Sequence, residues 1–325
     1  MILEWTDIDG HKILKNNPLK ITVNSSTNMY CYTMTVIYPY ENDFRDYCEV
    51  KFIFDEKTVF RGMVDSQRFI RSRQKQYLLI TCRTLAGYLT DNFLQPQNLR
   101  NITDSVIYHT YLEPFGISCH TLANKPYNGM LNIGKNVSIF DMAQRYCKEV
   151  FHTDFTVNCE GIAFFDGNSN TTEFVFTDGR TNLNENTYSY YDMDLTYQRK
   201  NVIAQIKVKN TVNANAYTVT LHNPYAENRK IQCIRYLDAT PSGENTVHDG
   251  ETMIENANRQ SFCAVLKIPC FVCNPLHAAA RLYYGGNLFD NLEVTGTDYL
   301  FEHGKSYTTI TLGRGGKKLY DTKYR

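Results

Sequence analysis

The strongest constraint on this fold is a two-residue alternation of apolar and polar side chains, repeated in short runs along much of the chain. Val50-Lys51-Phe52-Ile53-Phe54 leads into the charged turn Asp55-Glu56-Lys57 and then into Val59-Phe60-Arg61-Gly62-Met63-Val64. Two short runs of this kind joined by a tight polar turn predict a β-hairpin. Gln76–Arg83 (QYLLITCR) predicts a further strand, and Val23–Thr35 and Cys31–Tyr38 add more of the same pattern. Alternation, rather than unbroken apolar runs, is the mark of antiparallel sheets with one face in water. The aromatic content agrees with this reading: 24 Tyr and 18 Phe accompany a single Trp. Tyr and Phe favour strands. Surface tyrosines also suit protein interfaces, where the ring covers area and the hydroxyl stays wet.

Along the chain the character changes twice. Residues 1–95 read as a β block. Residues 96–190 read as a small α+β block. There Thr103 is placed to cap a helix carrying Val106, Ile107 and Tyr111, with Pro114 and Gly116 ending it. Ser138-Ile-Phe-Asp141 has the form of a capping box, with Asp in place of the usual Glu. It opens a helix whose Ile139, Met142, Ala143, Tyr146, Cys147 and Val150 share one face. Asp154–Val157 and Gly161–Phe165 predict a hairpin. Residues 191–313 return to β: Ala204, Ile206 and Val208 alternate with polar neighbours, as do Tyr217, Val219 and Leu221. Thr240–Gly250 reads as a polar loop. A helix is expected near Pro275, with Asn274 as its cap, a stripe of Leu276, Ala279, Ala280 and Tyr283, and Gly285-Gly286 as its end. Strands Asn291–Thr297 and Ser306–Leu312 follow. Residues 314–325 read as a basic, glycine-rich, flexible tail. No fixed-period repeat is visible.

Charge and length narrow the function. With 325 residues, two or three domains are expected. Lys plus Arg equals Asp plus Glu at 34 each, which argues against a specific nucleic-acid binder. The N-terminal MILEWTDIDG lacks the pattern of a secretory signal. The most apolar stretch, Ser261–Ala280, is broken by Lys267, Pro269 and His277, so no membrane insertion is expected. Ten scattered cysteines are expected reduced, and the sequons at Asn24, Asn101, Asn136 and Asn170 are read as chance.

Chemistry-bearing patterns are few, and no catalytic, cofactor or metal residues are assigned. Cys270-Phe-Val-Cys273, with Cys263 nearby, has the spacing of half a zinc site but no second pair. Core thiols explain it better. His152 and Asp154 would share one face of an extended strand; a helix C-terminal feature is the plainer reading. Asp192 and Asp194 likewise share a strand face. They would be the acids of a cell-wall hydrolase if they flanked a cleft. A solvated strand end is the simpler account. The GRGGKK run lacks the first Gly and the Ser/Thr of a phosphate loop. The sequence therefore points to a protein whose function lies in its surfaces, not to an enzyme.

The order of segments resembles the baseplate hub proteins of contractile phage tails and related injection particles, the late control protein D family. Three stretches carry the resemblance: Val59-Phe-Arg-Gly-Met-Val-Asp-Ser with Gln76–Asn92, Ile107–Ile117 with Asn136–Phe151, and Ala278–Gly313 ending in the strand-Gly304-strand closure at Leu312. The resemblance implies a mainly β fold in which two similar β-barrel-like domains are separated by a small α+β domain. It also implies a homotrimer that presents six near-equivalent barrels. Such a ring would adapt a hexameric tail tube protein to a trimeric central spike protein, with baseplate wedge proteins and the tape measure protein as further partners. A wall-degrading tail hydrolase, and a distal tail or spike-base module, remain the alternatives.

Overall fold

Alternation becomes pleat in the computed structural model, which describes residues 1–39, 44–71, 76–167, 172–179, 186–209, 216–239, 246–315 and 322–323. Strand accounts for 49% and helix for 17%, so the protein is mainly β, with a curled half-barrel sheet. It forms two compact units. The first comprises Met1–Asn170, Lys267–Leu276 and Gly296–Thr309, and the second Thr171–Leu266, His277–Thr295 and Ile310–Arg325. The strand Asn287–Glu302 and the strand Lys305–Arg314 contribute residues to both.

In the first unit, β1 (Ile2–Asp7), β2 (Lys12–Leu14), β3 (Lys20–Ser26), β4 (Thr33–Pro39), β5 (Tyr47–Phe54), β6 (Lys57–Arg71) and β7 (Gln76–Thr84) pair antiparallel in the order β3-β4-β7-β6-β5-β1-β2. Residues Gly296–Glu302 add themselves beside β3. The β5–β6 turn is the one expected from sequence: Asp55 (φ 48°) and Glu56 (φ 63°) occupy a two-residue connection with Phe54 opposite Lys57. Two positive φ angles match the right-handed twist of the flanking strands. Every second side chain turns inward, so β4 and β7 alternate buried and half-buried positions along their lengths. Trp5, Met34, Val36, Phe52, Phe60 and Ile80 meet in the resulting core. The Trp5 Nε1–H donates to the Tyr38 hydroxyl (3.0 Å), which satisfies its one buried donor. The segment from Lys267 to Leu276 covers this core: Phe271 stacks on Tyr299 (centroids 4.4 Å apart) and on Phe54 (4.2 Å).

A second core in the same unit surrounds the helix Ile139–Val150. Its capping box is present in both directions. Ser138 Oγ accepts from the Asp141 N–H (3.0 Å), and Asp141 Oδ2 accepts from the Ser138 N–H (3.1 Å). Thr103 caps Asp104–Ile107, accepting from the Val106 N–H at 3.2 Å. The expected hairpin forms between Thr156–Val157 and Ile162–Phe164.

An arginine fork stiffens the exit from β7. Val64 to Ser66 is a bulge in the β6–β7 ladder, and the bulged residue is Asp65. Its carboxylate accepts from Arg83 Nε (2.7 Å) and Nη2 (2.9 Å), while Asp91, at the end of the helix Ala86–Asp91, accepts from Nη1 (3.1 Å) and Nη2 (2.7 Å). These bonds to Arg83 hold the Asp91 carboxyl below its ordinary value. A depressed carboxyl contributes stability above its unfolded value and loses that contribution as pH falls through its folded value. Arg83→Gln should therefore lower the urea midpoint at neutral pH. The gap between variant and wild type should be full above about pH 5 and close as pH drops from about 5 to about 2. Urea melts across that range check it, and a gap that stays constant would refute the assignment.

The second unit corrects two expectations. Residues Ala279–Tyr284 form a strand, not a helix; it pairs parallel with Glu173–Thr177 and antiparallel with Asn287–Glu302. The stripe read as helical also fits a strand, since Ala280 and Leu282 are buried between exposed Ala279, Arg281 and Tyr283. Short apolar windows do not separate the two periods. Gly285-Gly286 (φ 55° and 79°) is then a hairpin turn between Tyr284 and Asn287 rather than a helix end. Conversely, Thr246–Gln260 is a fifteen-residue helix where a polar loop was expected through Gly250. It packs Ile254 and Ala257 against Ile206, Val208, Val219 and Leu221 of a small sheet. A Cβ on Gly250 would lie 2.7 Å from Leu221 Cδ1, so the poor helix former is what lets the helix approach the sheet. In that sheet Gln205–Val208 lies between Ile234–Leu237, parallel, and Val219–His222, antiparallel. Thr322–Lys323 adds a bridge to Val219–His222. Residues 316–321 and 324–325 of the tail, residues 240–245 of the expected loop, and the Asn170 sequon lie outside the described residues.

Candidate interaction surfaces

The residues singled out from sequence do not converge. Cys270 is exposed and Cys273 half-buried, on the segment after the strand Phe262–Ile268, while Cys263 lies on that strand; all are free thiols. Burial pushes each of these thiols up, away from the thiolate that metal binding needs. His152 (φ 54°) follows Phe151, the C-cap of the helix Ile139–Val150, so it and Asp154 do not line one face of a strand. Asp154 instead accepts a hydrogen bond from the Gln144 side chain, whose oxygen accepts from the Phe155 N–H at 2.9 Å. Asp192 and Asp194 do alternate along the strand Asp192–Tyr197, both exposed. In the GRGGKK run, Gly313 and Arg314 are the last two residues of a strand and residues 316–318 lie outside the described residues.

Among the described residues, one group of metal-type ligands is close enough to share an ion: Asp7, Asp9 and His11. It is the turn between β1 and β2. Asp7 Oδ1 accepts from the N–H of Asp9 (3.0 Å) and of His11 (2.8 Å), and Oδ2 faces His11 Nδ1 at 3.3 Å. Burial alone would raise the Asp7 carboxyl, but these bonds outweigh it and hold it below the ordinary value. A carboxylate closing a loop in this way is turn chemistry.

The first unit also carries a cavity of about 400 Å³, lined by Glu4, Lys12, Glu49, Lys51, Arg61 and Glu160 among others. Several of its charges are used internally. Glu4 accepts from Lys12 (2.9 Å) and lies opposite Lys51 in the ladder; Arg61 donates to the Gly116 carbonyl (3.1 Å); Glu160 accepts from Asn274 (2.7 Å). Asp192 and Asp194 do not line it.

The surfaces of the second unit are richer. Tyr283, Tyr284 and Leu288 stand exposed on the Gly285-Gly286 hairpin. Tyr190 donates to the Tyr283 carbonyl (3.0 Å), and Tyr191 beside it is 60% exposed. On the small sheet, Tyr236 (59% exposed) meets Tyr217 edge-on at 5.0 Å. Lys209 lies over the Tyr217 ring at 4.9 Å and Lys207 over the Tyr236 ring at 5.8 Å. Tyr-rich faces of this sort supply rigid amphipathic contact area. The doubled tyrosines at 190–191 and 283–284 were a usable signal in the sequence, because two large aromatic side chains in succession beside a turn cannot both enter the core; Tyr190–Tyr191 joins two strands, and Tyr283 and Tyr284 are both exposed. Among the described helices, none is long and apolar enough to cross a membrane.

No family model and no curated protein matches the sequence. The fold, by contrast, has relatives among solved structures. The chain is similar to the 43 kDa tail protein of prophage MuSo2 from Shewanella oneidensis, at TM-score 0.70 and 11% identity over 97% of this chain and 98% of that one. It is similar to the tail protein from Neisseria meningitidis MC58, at TM-score 0.68 and 11% identity over 96% and 95%. It is also similar to the Escherichia coli c3393 protein, at TM-score 0.56 and 8% identity over 95% and 76%. That protein is described as a component of the type VI secretion system with structural similarity to the T4 bacteriophage tail proteins gp27 and gp5. The chain therefore has the fold of these phage tail proteins.

Proposed function

We propose that this protein is the structural hub of a contractile phage tail or a bacteriocin-like baseplate, a homotrimer that adapts sixfold to threefold symmetry. The observation that supports this most is the end-to-end likeness of fold to phage tail proteins, which extends over nearly the whole of both chains. The described relation of the c3393 protein to gp27 and gp5 points the same way.

The physical logic is one of counting and covering. Two similar β blocks per chain, in three chains, offer six equivalent seats to a tail tube protein, while the trimer axis offers three to a central spike protein. Baseplate wedge proteins and the tape measure protein are the other partners this reading expects. The particle would assemble in the bacterial cytoplasm. Among the described residues, Lys12–Leu14 and Thr187–Ser189 each pair with a strand on one side only. Exposed strand edges invite association. Assembly between copies would satisfy them and cover tyrosines such as Tyr191 and Tyr284.

Light scattering on the purified protein is the direct test. The expected mass is about three times 37.6 kDa, alone or after addition of the spike. A hexamer would favour a distal tail module, and a monomer that stays monomeric with the spike would refute the hub.

A further inference from the structure

The second unit carries a cluster of cations that the fold leaves without acids. Tyr225 is buried, and its hydroxyl is engaged by Ser261 Oγ at 2.8 Å. Two guanidinium groups cover its ring: the Cζ of Arg229 lies 3.8 Å from the centroid and that of Arg314 lies 4.6 Å away. Arg199 joins them, donating to the Arg229 carbonyl at 2.6 Å. Lys200 and Lys230, next in sequence to two of these arginines, are exposed. Among the described residues none of the five makes an ion pair, and the Nε of Arg314 is buried without any hydrogen-bond partner. The nearby acid Glu227 is already opposite His222 at 3.3 Å.

This is unusual in a chain whose 34 basic and 34 acidic residues balance. Some guanidinium groups elsewhere are paired: Arg83 with Asp65 and Asp91, Arg281 with Glu173. A guanidinium stacked on a ring is fixed in orientation: Arg229 Nη1 donates to the Tyr225 carbonyl (3.3 Å), and the in-plane N–H groups left over keep the geometry that grips a planar carboxylate with two bonds. We propose that Arg199, Arg229 and Arg314, with Lys200 and Lys230 at the rim, form a docking site for an acidic protein segment rich in Asp or Glu. Nucleic acid is the less fitting occupant. Single strands need aromatic faces on which bases stack. The ring at this site is already covered by arginine.

The site can be tested separately from the trimer. Fluorescence anisotropy with a labelled hexaglutamate peptide should show binding to the full-length protein that weakens as salt is raised. Arg229→Gln with Arg314→Gln should weaken it about tenfold or more, since two charge-assisted forks are lost. Lys200→Gln with Lys230→Gln, both at exposed positions away from the Tyr225 stack, should weaken it by about threefold and leave thermal stability unchanged. The second pair decides the matter if the first does not fold. No peptide binding by the wild type, binding unaffected by the lysine pair, or tighter binding of labelled dodecathymidylate than of peptide would each overturn the proposal. The mass of the wild type bears on the hub reading alone, and peptide binding on this site alone.

Discussion

Asp104→Ala should cost about 4 kcal/mol of stability, among the largest losses available to any single side chain here. Asp104 is fully buried, yet its carboxylate is saturated. Oδ2 accepts from the N–H of Ala123 (2.6 Å) and of Asn124 (3.2 Å), and Oδ1 accepts from the N–H of Lys125 (3.1 Å). The Tyr146 hydroxyl accepts from the Asp104 N–H (2.9 Å) and donates to the Lys125 carbonyl. Burial, with the nearby carboxylate, pushes that phenol up, so it stays a neutral donor. One acid thus pins a loop to the start of the helix Asp104–Ile107 and to the middle of the helix Ile139–Val150. Alanine would strand three inward-facing backbone donors with no partner, and each orphan costs about 1–3 kcal/mol. Asp104→Asn keeps an oxygen but turns an NH₂ toward the donors, so an intermediate loss is expected. Tyr146→Phe should cost about 1–2 kcal/mol. Urea unfolding followed by circular dichroism gives all three, and an Asp104→Ala loss below about 1 kcal/mol would show that the loop carries no load.

The parts of the fold that were legible in the sequence are those fixed by neighbours in the chain. The β5–β6 hairpin was readable because its turn residues and both flanking alternations fall within fifteen positions. The Ser138–Asp141 box was readable because it closes over three residues. The helix Thr246–Gln260 was not. Its opening Thr-Val-His-Asp-Gly is poor in helix formers, and its stability comes from packing Ile254 and Ala257 onto strands some forty residues away. The strand Ala279–Tyr284 was misread for a related reason: its partners, Glu173–Thr177 and Asn287–Glu302, lie partly a hundred residues upstream. The arginine cluster at Tyr225 was invisible, because Arg199, Arg229 and Arg314 are brought together only by tertiary structure. What could be read was its material, a neutral chain with many tyrosines and few candidate acids and bases in catalytic spacing, which already favoured surfaces over pockets.

Gly62→Ala should be more damaging still, and it ties one element of the sequence resemblance to a physical cause. Gly62 stands in the stretch Val59–Ser66, within β6, opposite Val50 of β5 and Thr84 of β7. A Cβ placed there would lie 2.0 Å from the Arg83 carbonyl oxygen and 2.8 Å from both the Arg83 carbonyl carbon and Phe60 Cε1. The obstacle is backbone and so does not rotate away. Relief would require parting β6 from β7 where Arg83 is also tied to Asp65 and Asp91, next to the bulge at Val64–Ser66. Phe60, fully buried in the sheet core, offers no slack on the other side. The expected result is a loss of more than about 4 kcal/mol, seen as insoluble expression or a thermal midpoint lowered by about 10 °C or more. Gly134→Ala is the control: an added Cβ there meets nothing within 4 Å, and its backbone is not left-handed. That variant should match or slightly exceed the wild type, by up to about 1 kcal/mol through the entropy of the unfolded chain. If Gly62→Ala melted within about 1 kcal/mol of the wild type, β6 and β7 could not approach as closely as the ladder requires, and the register of the first unit's sheet would have to be redrawn.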